Sequence, residues 1–119
     1  MVLIDTSVWV SHFHKREPYL EILLNDDDVV CHPYVIGEIA CGFIKNRKEI
    51  LSLLQSLLQI ELVDQKEYLH FLEHNKLMGK GLGFVDINLL ASCVLSKTSI
   101  WTFDKALNDA AKSLKIEYK

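Results

Sequence analysis

Four acidic side chains stand at positions where a carboxylate needs a structural or chemical reason. Asp5 and Asp104 each follow or end a short apolar run, and Glu38 and Asp86 lie on helical patterns. Asp86 falls in the first turn of the most apolar of these helices, where an unpaired carboxylate is costly to bury. Carboxylates crowded together repel one another, and a divalent cation is the usual remedy. Oxygen ligands select Mg²⁺ or Mn²⁺ over zinc, and such sites support phosphoryl transfer.

Each of these acids also has a plainer explanation when it is taken alone. Asp5 and Asp104 could cap the helices that follow them, since aspartate is a good N-cap. Glu38 could be a solvated glutamate paired with Lys45, and the helix dipole could by itself satisfy Asp86. A shared site therefore requires a fold that brings the four carboxylates together.

Short apolar runs alternate with helical stripes along the chain. The predicted strands span residues 1–4, 29–31, 60–63, 99–103 and 116–118, and the predicted helices span residues 6–14, 17–25, 33–44, 47–58, 65–78, 84–97 and 104–114. This alternation predicts an α/β fold with a central, mostly parallel sheet of four to five short strands flanked by helices. Ligands of such folds bind at the carboxyl ends of the strands. Asp5 and Asp104 are both expected at that edge.

The chain length of 119 residues predicts a single domain over residues 1–119. The net charge of −3 argues against a strongly basic nucleic-acid-binding domain. However, four of the 16 acidic side chains are the candidate ligands, so the other 12 nearly balance the 13 basic ones. Basic side chains near the predicted site are candidates for contacts with a phosphate backbone, although ordinary solvation explains each of them as well. These residues are Lys45, Arg47, Lys48 and Lys80.

The sequence has no signal that predicts a membrane or secreted protein. No apolar stretch approaches the roughly 20 residues that a membrane span needs. The N-terminal residues lack the basic region of a signal peptide. Cys31, Cys41 and Cys93 are far apart and lie beside apolar neighbours, so we expect them to be reduced, buried thiols. These features predict a cytoplasmic protein.

Other short motifs lack the partners that their chemistry needs. His70 and His74 match the H-x-x-E-H string of one zinc peptidase class, but that chemistry requires a third ligand. The pair Cys31-His32 likewise lacks partners at zinc spacing. The glycine-rich segment 79–83 does not match a phosphate-binding P-loop. A phosphoacceptor receiver domain usually has two adjacent acids after its first strand, whereas this chain has one.

Four segments of the chain resemble PIN-domain ribonucleases, and more closely the VapC-like toxins of bacterial and archaeal toxin–antitoxin pairs. The segments are V-L-I-D-T-S-V-W at the N-terminus, I-G-E-I-A, G-L-G-F-V-D-I-N-L-L-A-S and W-T-F-D-K. They occur in the order and spacing of that family and cover nearly the whole chain. One strand-end aspartate would be uninformative, but the four segments together are specific.

The resemblance implies a PIN-like fold, a divalent metal cofactor (Mg²⁺ or Mn²⁺) and hydrolysis of RNA that leaves a 5′-phosphate and a 3′-hydroxyl. The family's catalytic, metal-coordinating acids match Asp5, Glu38, Asp86 and Asp104. The family's hydroxyl positions, which we expect to orient carboxylates or water, match Thr6, Ser7 and Thr102.

The resemblance also implies partners. VapC-like toxins form homodimers and are silenced by a VapB-like antitoxin, whose C-terminal segment wraps the toxin and places a basic side chain in the acidic pocket. Two alternatives to a toxin stay open at this point. One is a stand-alone RNA-processing PIN nuclease, and the other is a catalytically silent PIN fold that binds proteins, because a fold does not fix a function.

Overall fold

The first two apolar runs form the centre of a parallel sheet. The computed structural model describes residues 1–118. Its strands are β1 (Val2–Ile4), β2 (Val29–Cys31), β3 (Leu58–Gln59) and β4 (Ser99–Trp101). They pair in the order β3-β2-β1-β4, and every pairing is parallel. All residues of β1 and β2 are buried, as is typical of inner strands in a parallel sheet. The predicted α/β class with a mostly parallel sheet is confirmed.

Helices connect the strands and flank the sheet. Within residues 1–118 they are α1 (Thr6–Lys15), α2 (Pro18–Asn25), α3 (Pro33–Ala40), α4 (Arg47–Ser56), α5 (Gln65–His74), α6 (Phe84–Ser96) and α7 (Lys105–Ser113). The most deeply packed of them is α6, in which every residue from 87 to 93 is buried. This burial confirms the prediction from its nearly continuous apolar sequence, and it places the α6 N-terminus at the rim of the core.

The third strand lies two residues earlier than predicted. The prediction of residues 60–63 is wrong, because the strand is β3 at positions 58 and 59. Both β3 side chains are exposed, and the apolar stripe placed Leu58 at the end of the preceding helix. The strand forms through backbone pairing with Val30 and Cys31. Ile60, which suggested a strand, lies just past the end of β3 and is buried. Its N–H donates to the carbonyl of Cys31 at 2.8 Å.

The predicted strand at residues 116–118 is also wrong as a full strand. Only a single parallel bridge forms there, between Ile100 and Glu117. The Ile100 N–H donates to the Ile116 carbonyl at 2.8 Å, and the Tyr118 N–H donates to the Ile100 carbonyl at 2.9 Å. Backbone N–H and C=O groups point to alternate sides along a strand, and β4 has only three residues. Ile100, its central residue, is therefore the one that directs both its N–H and its C=O toward residues 116–118.

Three helices end at least two residues earlier than their apolar stripes predict, and one of them is α4, which stops at position 56 rather than 58. Helix α3 stops at position 40 rather than 44, and Asn46 in the following loop adopts a left-handed conformation with φ 54°. Arg47 donates from its guanidinium to the carbonyls of Ala40 and Gly42, which satisfies acceptors at the end of α3. Helix α5 stops at position 74, four residues short of the prediction, and Lys76 after it also has a positive φ of 52°.

The three cysteines are free, but only two of them are buried. Burial raises the pKa of the Cys31 thiol to about 11 and that of the Cys93 thiol to about 12. Cys41 is exposed, so the prediction of a buried thiol at this position is wrong. The early end of α3 explains the difference, because Cys41 is the C-cap residue and no longer lies on a packed helical face. Across residues 1–118, no helix has both the length and the apolar character that crossing a membrane requires.

Candidate active site

Two of the predicted acids lie side by side because β1 and β4 are adjacent. The carboxyl end of β1 leads into Asp5, whose backbone N–H donates to the Trp101 carbonyl at 3.0 Å. Asp104 follows β4 and begins α7, where its Oδ2 accepts from the Leu107 N–H at 2.9 Å. Asp5 is likewise the N-cap of α1. The capping explanation is therefore correct for both residues, and it coexists with their position at the ligand edge of the sheet.

The carboxylate of Asp5 is fixed by two hydroxyl groups. It is 6% exposed, and its Oδ2 accepts from the hydroxyls of Ser7 and Thr102, both at 2.7 Å. The Thr102 hydroxyl in turn accepts from the Asp104 N–H at 3.0 Å, and the Ser7 hydroxyl accepts from the Phe103 N–H at 3.0 Å. Each hydroxyl therefore donates its single O–H hydrogen bond to Asp5. Ser7 and Thr102 therefore tie the ends of β1 and β4 together around one buried carboxylate.

Asp86 lies in the same electrostatic environment as Asp5 and Asp104. Its Oδ2 accepts from the Gly83 N–H at 3.0 Å, so the side chain reaches back over the N-terminus of α6. Burial raises the pKa of the Asp86 carboxyl, the hydrogen bond from Gly83 opposes this shift, and the negative charges of Asp5 and Asp104 raise it further. The α6 N-terminus therefore only partly compensates the Asp86 carboxylate, and the charges of Asp5 and Asp104 disfavour its ionised form.

Glu38 is held at the surface beside the start of α1. The Thr6 hydroxyl donates to its Oε1 at 2.7 Å, which links α1 to α3. The alternative pairing with Lys45 is wrong, since no salt bridge in residues 1–118 joins the two. A Cβ added to the neighbouring Gly37 would meet nothing within 4 Å, so the space beside Glu38 is open. Glu38 and Asp104 are thus the two exposed acids of the four, whereas Asp86 is half-buried and Asp5 is buried.

The donor atoms of this site suit a hard divalent ion. Each of the four carboxylates accepts hydrogen bonds through one of its oxygens, and no Lys or Arg within residues 1–118 forms a salt bridge with any of them. Carboxylate oxygens are the ligands that Mg²⁺ and Mn²⁺ prefer. The described part of the chain has no group of three or more acidic, His or Cys side chains already close enough to hold an ion. An ion would therefore have to draw these carboxylates closer together.

The four basic candidates have different surroundings. Lys45 borders a groove that also contains Glu38, and Lys80 lines a cleft of about 480 Å³ between the glycine-rich loop and α7. Arg47 is engaged at the end of α3, and Lys48 is exposed on α4. Sequence reasoning missed Lys105, which lines the same cleft as Lys80 and forms an ion pair with Asp109 at 2.8 Å. Its position directly after Asp104 was the available signal.

Several aromatic rings near α6 were also missed. The Phe84 ring stacks on Tyr34 with centroids 6.0 Å apart and tilts against Tyr68 at 5.0 Å. This cluster joins the first turns of α3 and α6 to α5. The two histidines of the H-x-x-E-H string, His70 and His74, are exposed on α5 with ring centroids 5.6 Å apart.

A parallel α/β domain with acids at the ends of adjacent strands is the arrangement expected of a PIN domain. The PIN domain family model matches residues 2–113, and the chain therefore belongs to the PIN-domain family. The chain is also similar to the protein named Ribonuclease VapC32 of Mycobacterium tuberculosis, in strains CDC 1551 / Oshkosh and ATCC 25618 / H37Rv. The two sequences are 45% identical over 111 residues, which cover 92% of this chain and 90% of the relative. The predicted resemblance to VapC-like PIN proteins is confirmed.

Proposed function

We propose that this chain is an endoribonuclease that hydrolyses RNA phosphodiester bonds with bound Mg²⁺ or Mn²⁺. The observation that carries the proposal is that Asp5, Asp86 and Asp104 lie at one edge of the sheet, where burial and then the charges of Asp5 and Asp104 raise the pKa of Asp86 and no basic side chain within residues 1–118 forms a salt bridge with the three. Glu38 completes the proposed ligand set from α3. Membership of the PIN-domain family and the likeness to a protein named a ribonuclease support the same activity.

The proposed chemistry assigns a distinct task to each group. A bound divalent ion would lower the pKa of a coordinated water and neutralise charge on the scissile phosphate. Ser7 and Thr102 hold one oxygen of Asp5, which leaves its other oxygen as a ligand, and Thr6 does the same for Glu38. The water attacks phosphorus, and the bond from phosphorus to the 3′ oxygen breaks. The 3′ oxygen takes up a proton, so the products are a 3′-hydroxyl and a 5′-phosphate.

The experiment that tests the activity is cleavage of labelled total RNA by the purified protein with Mg²⁺, with Mn²⁺ and with EDTA. Asp86→Asn should lower the cleavage rate by about 100-fold or more, since even residues that support metal ligands have effects of this size. Asp26→Asn is the matched control, because it removes the same charge from the turn before β2, at the opposite edge of the sheet. Equal cleavage by the two variants would contradict the site. A folded protein that cleaves no RNA would favour the silent protein-binding alternative.

We further propose that the chain is the toxin of a toxin–antitoxin pair and that a VapB-like antitoxin occupies the groove beside Glu38. This groove has a volume of about 830 Å³, and α1, α4 and the loop after α3 contribute its walls. Most of its lining is apolar, including Phe43, whose side chain is fully exposed, while Glu38 lies at its border. An amphipathic segment with one basic side chain would match that combination of surfaces.

The antitoxin proposal can be tested separately from catalysis. Leu53→Arg, in the groove wall, should weaken inhibition of cleavage by the antitoxin while leaving cleavage itself unchanged. Leu62→Arg is the matched control, because Leu62 is similarly exposed but does not line the groove. Full inhibition of the Leu53→Arg variant would show that the antitoxin binds elsewhere. If the protein cleaves RNA but no antitoxin inhibits it, the stand-alone RNA-processing alternative is favoured.

The remaining proposals concern assembly and compartment. We propose that residues 1–119 act as one nuclease domain and associate as a homodimer, which the exposed apolar side chains Leu69, Phe84 and Leu95 on α5 and α6 support. Sedimentation should give twice the 13.7 kDa chain mass, and a monomer at micromolar concentration would contradict the dimer. Three free thiols support a reducing, cytoplasmic environment.

A further inference from the structure

His32 lies at the junction between the sheet and two helices that carry proposed metal ligands. It follows β2, precedes Pro33, and has no solvent exposure. Pro33 is the first residue of α3 and has no N–H, so the first free backbone donor of the helix belongs to Tyr34. The Nδ1 atom of His32 accepts that hydrogen bond at 3.0 Å. His32 is therefore the N-cap of α3.

The other ring nitrogen of His32 reaches a different helix. Its Nε2 lies 3.4 Å from the hydroxyl of Ser92, a fully buried residue of α6. Because Nδ1 accepts a backbone N–H, the proton of the neutral ring must be on Nε2, and Nε2–H then donates to Ser92. Within residues 1–118, no other hydrogen bond joins His32 or α3 to α6. The neutral ring with this tautomer satisfies both contacts at once.

These two contacts have a geometric consequence for the acids. Glu38 lies six residues after His32, at the surface of α3, and Asp86 lies six residues before Ser92, at the start of α6. The strand topology fixes Asp5 and Asp104 directly, because β1 and β4 are paired. Glu38 and Asp86 have no such backbone link. The Thr6 hydroxyl ties Glu38 to α1, and the start of α3 meets α6 through the His32–Ser92 hydrogen bond and the stacked rings of Tyr34 and Phe84, so His32 contributes to the separation of the two acids.

We propose that His32 is a positioning residue that sets the separation of Glu38 and Asp86 by capping α3 and bonding to Ser92 of α6. The proposal rests on the proposed metal-dependent nuclease function. His32 is buried and touches neither substrate nor metal in this scheme, and it acts through the placement of the two helices. Loss of either contact should displace one carboxylate relative to the other without removing a ligand.

Two variants separate the contacts of His32. His32→Asn keeps a side-chain acceptor for the Tyr34 N–H, since asparagine is a good N-cap, but is too short to reach Ser92 as well. Ser92→Ala keeps the histidine cap and removes only its partner on α6. Cys93→Ala is the matched control, because it empties buried space in the same helix and removes neither hydrogen bond of the His32 ring. The double variant of His32 and Ser92 completes a mutant cycle.

The expected result is a lower kcat at little changed KM for RNA, by about 10-fold in His32→Asn and Ser92→Ala, since small misplacements of catalytic groups are costly. The double variant should be no worse than the poorer single one. Both single variants should also bind Mn²⁺ more weakly, as measured by electron paramagnetic resonance, whereas Cys93→Ala should lose stability alone. Nitrogen chemical shifts of His32 should show a neutral ring protonated on Nε2.

Three results would overturn the proposal. The first is a His32 ring protonated on Nδ1 at neutral pH. The second is a double variant whose fold-loss of kcat is the product of the two single losses. The third is that the Mn²⁺ affinities of the single variants equal that of Cys93→Ala. The Mn²⁺ measurement keeps the proposal separate from the proposed function. If the wild-type protein cleaves no RNA, weaker Mn²⁺ binding in Ser92→Ala still supports the positioning role, and unchanged binding still refutes it.

Discussion

Acidification should destabilise this protein through His32, and His32→Asn should remove that effect. Burial lowers the pKa of the His32 imidazole from 6.5 to about 4. The unfolded chain keeps the ordinary value, so between about pH 6.5 and pH 4 the unfolded state binds more protons than the folded state. Stability therefore falls as the pH falls through this window. Once Nδ1 is protonated, the ring can no longer accept the Tyr34 N–H. Protonation of His32 in the folded protein therefore also breaks the N-cap of α3.

The size of this effect follows from the two pKa values. A difference of about 2.5 between the two pKa values corresponds to about 3 kcal/mol below pH 4, where both states are protonated. Between pH 7 and pH 5 the loss is about 2 kcal/mol, because the folded ring is still mostly neutral while the unfolded one is mostly charged. Carboxylates remote from His32 titrate in the same range, but they contribute equally to the wild type and to a histidine variant. The difference between the two proteins isolates His32.

The assay is urea denaturation of the wild type, His32→Asn and His70→Asn at pH 7 and at pH 5, without metal. The wild type should lose about 2 kcal/mol more than His32→Asn over this interval. His70 is exposed on α5, so His70→Asn is the control and should behave as the wild type does. Equal losses in the wild type and in His32→Asn would refute the reasoning, because they would mean that His32 is not held neutral in the folded protein.

Three further perturbations test other contacts. Asp86→Asn should raise the melting temperature in EDTA, and the gain should grow as the pH rises. The reason is that burial and neighbouring charges raise the pKa of Asp86, so its ionised form destabilises the folded protein. A lower melting temperature would contradict this. Arg47→Ala should cost about 1 kcal/mol through the lost carbonyl contacts at the end of α3, whereas Lys48→Ala, its exposed neighbour, should be neutral by the same denaturation assay. A small disulfide reagent should modify one thiol of the folded protein rapidly, at Cys41, because the other two are buried with raised pKa values; rapid reaction of two or three thiols would contradict the packing.

The sequence predicted the parts of the candidate site that depend on local order. Asp5 and Asp104 each stand between an apolar strand and a helix, so their positions at strand ends and their capping interactions follow from neighbouring residues. Asp86 was conspicuous because its helix is apolar on nearly all sides. The hydroxyls of Ser7 and Thr102 were expected from the family resemblance, and both bind Asp5.

The sequence failed where pairing between distant segments decides the structure. Strand β3 has two exposed side chains, and its Leu58 fits the apolar stripe of the preceding helix, so no local pattern marks the strand. It exists because the backbone of β2 is available beside it. The expected strand at residues 116–118 is a single bridge, because in the three-residue β4 only Ile100 directs its backbone N–H and C=O to the outer edge of the sheet. Cys41 is exposed because α3 ends at position 40, where Arg47 satisfies the helix carbonyls from another element.

The sequence by itself therefore determined the fold class and the family and singled out the four acids as candidates, since these depend on short-range patterns and on motif order. Only the tertiary structure decided how the acids relate to one another. The hydrogen bond from Thr102 to Asp5 spans 97 positions, and the repulsion that raises the pKa of Asp86 comes from residues 81 and 18 positions away. His32 shows the same limit most clearly. As part of the pair Cys31-His32 it was set aside for want of metal partners, and its actual partner, Ser92, lies 60 positions along the chain on a helix that packs beside it only in the folded protein.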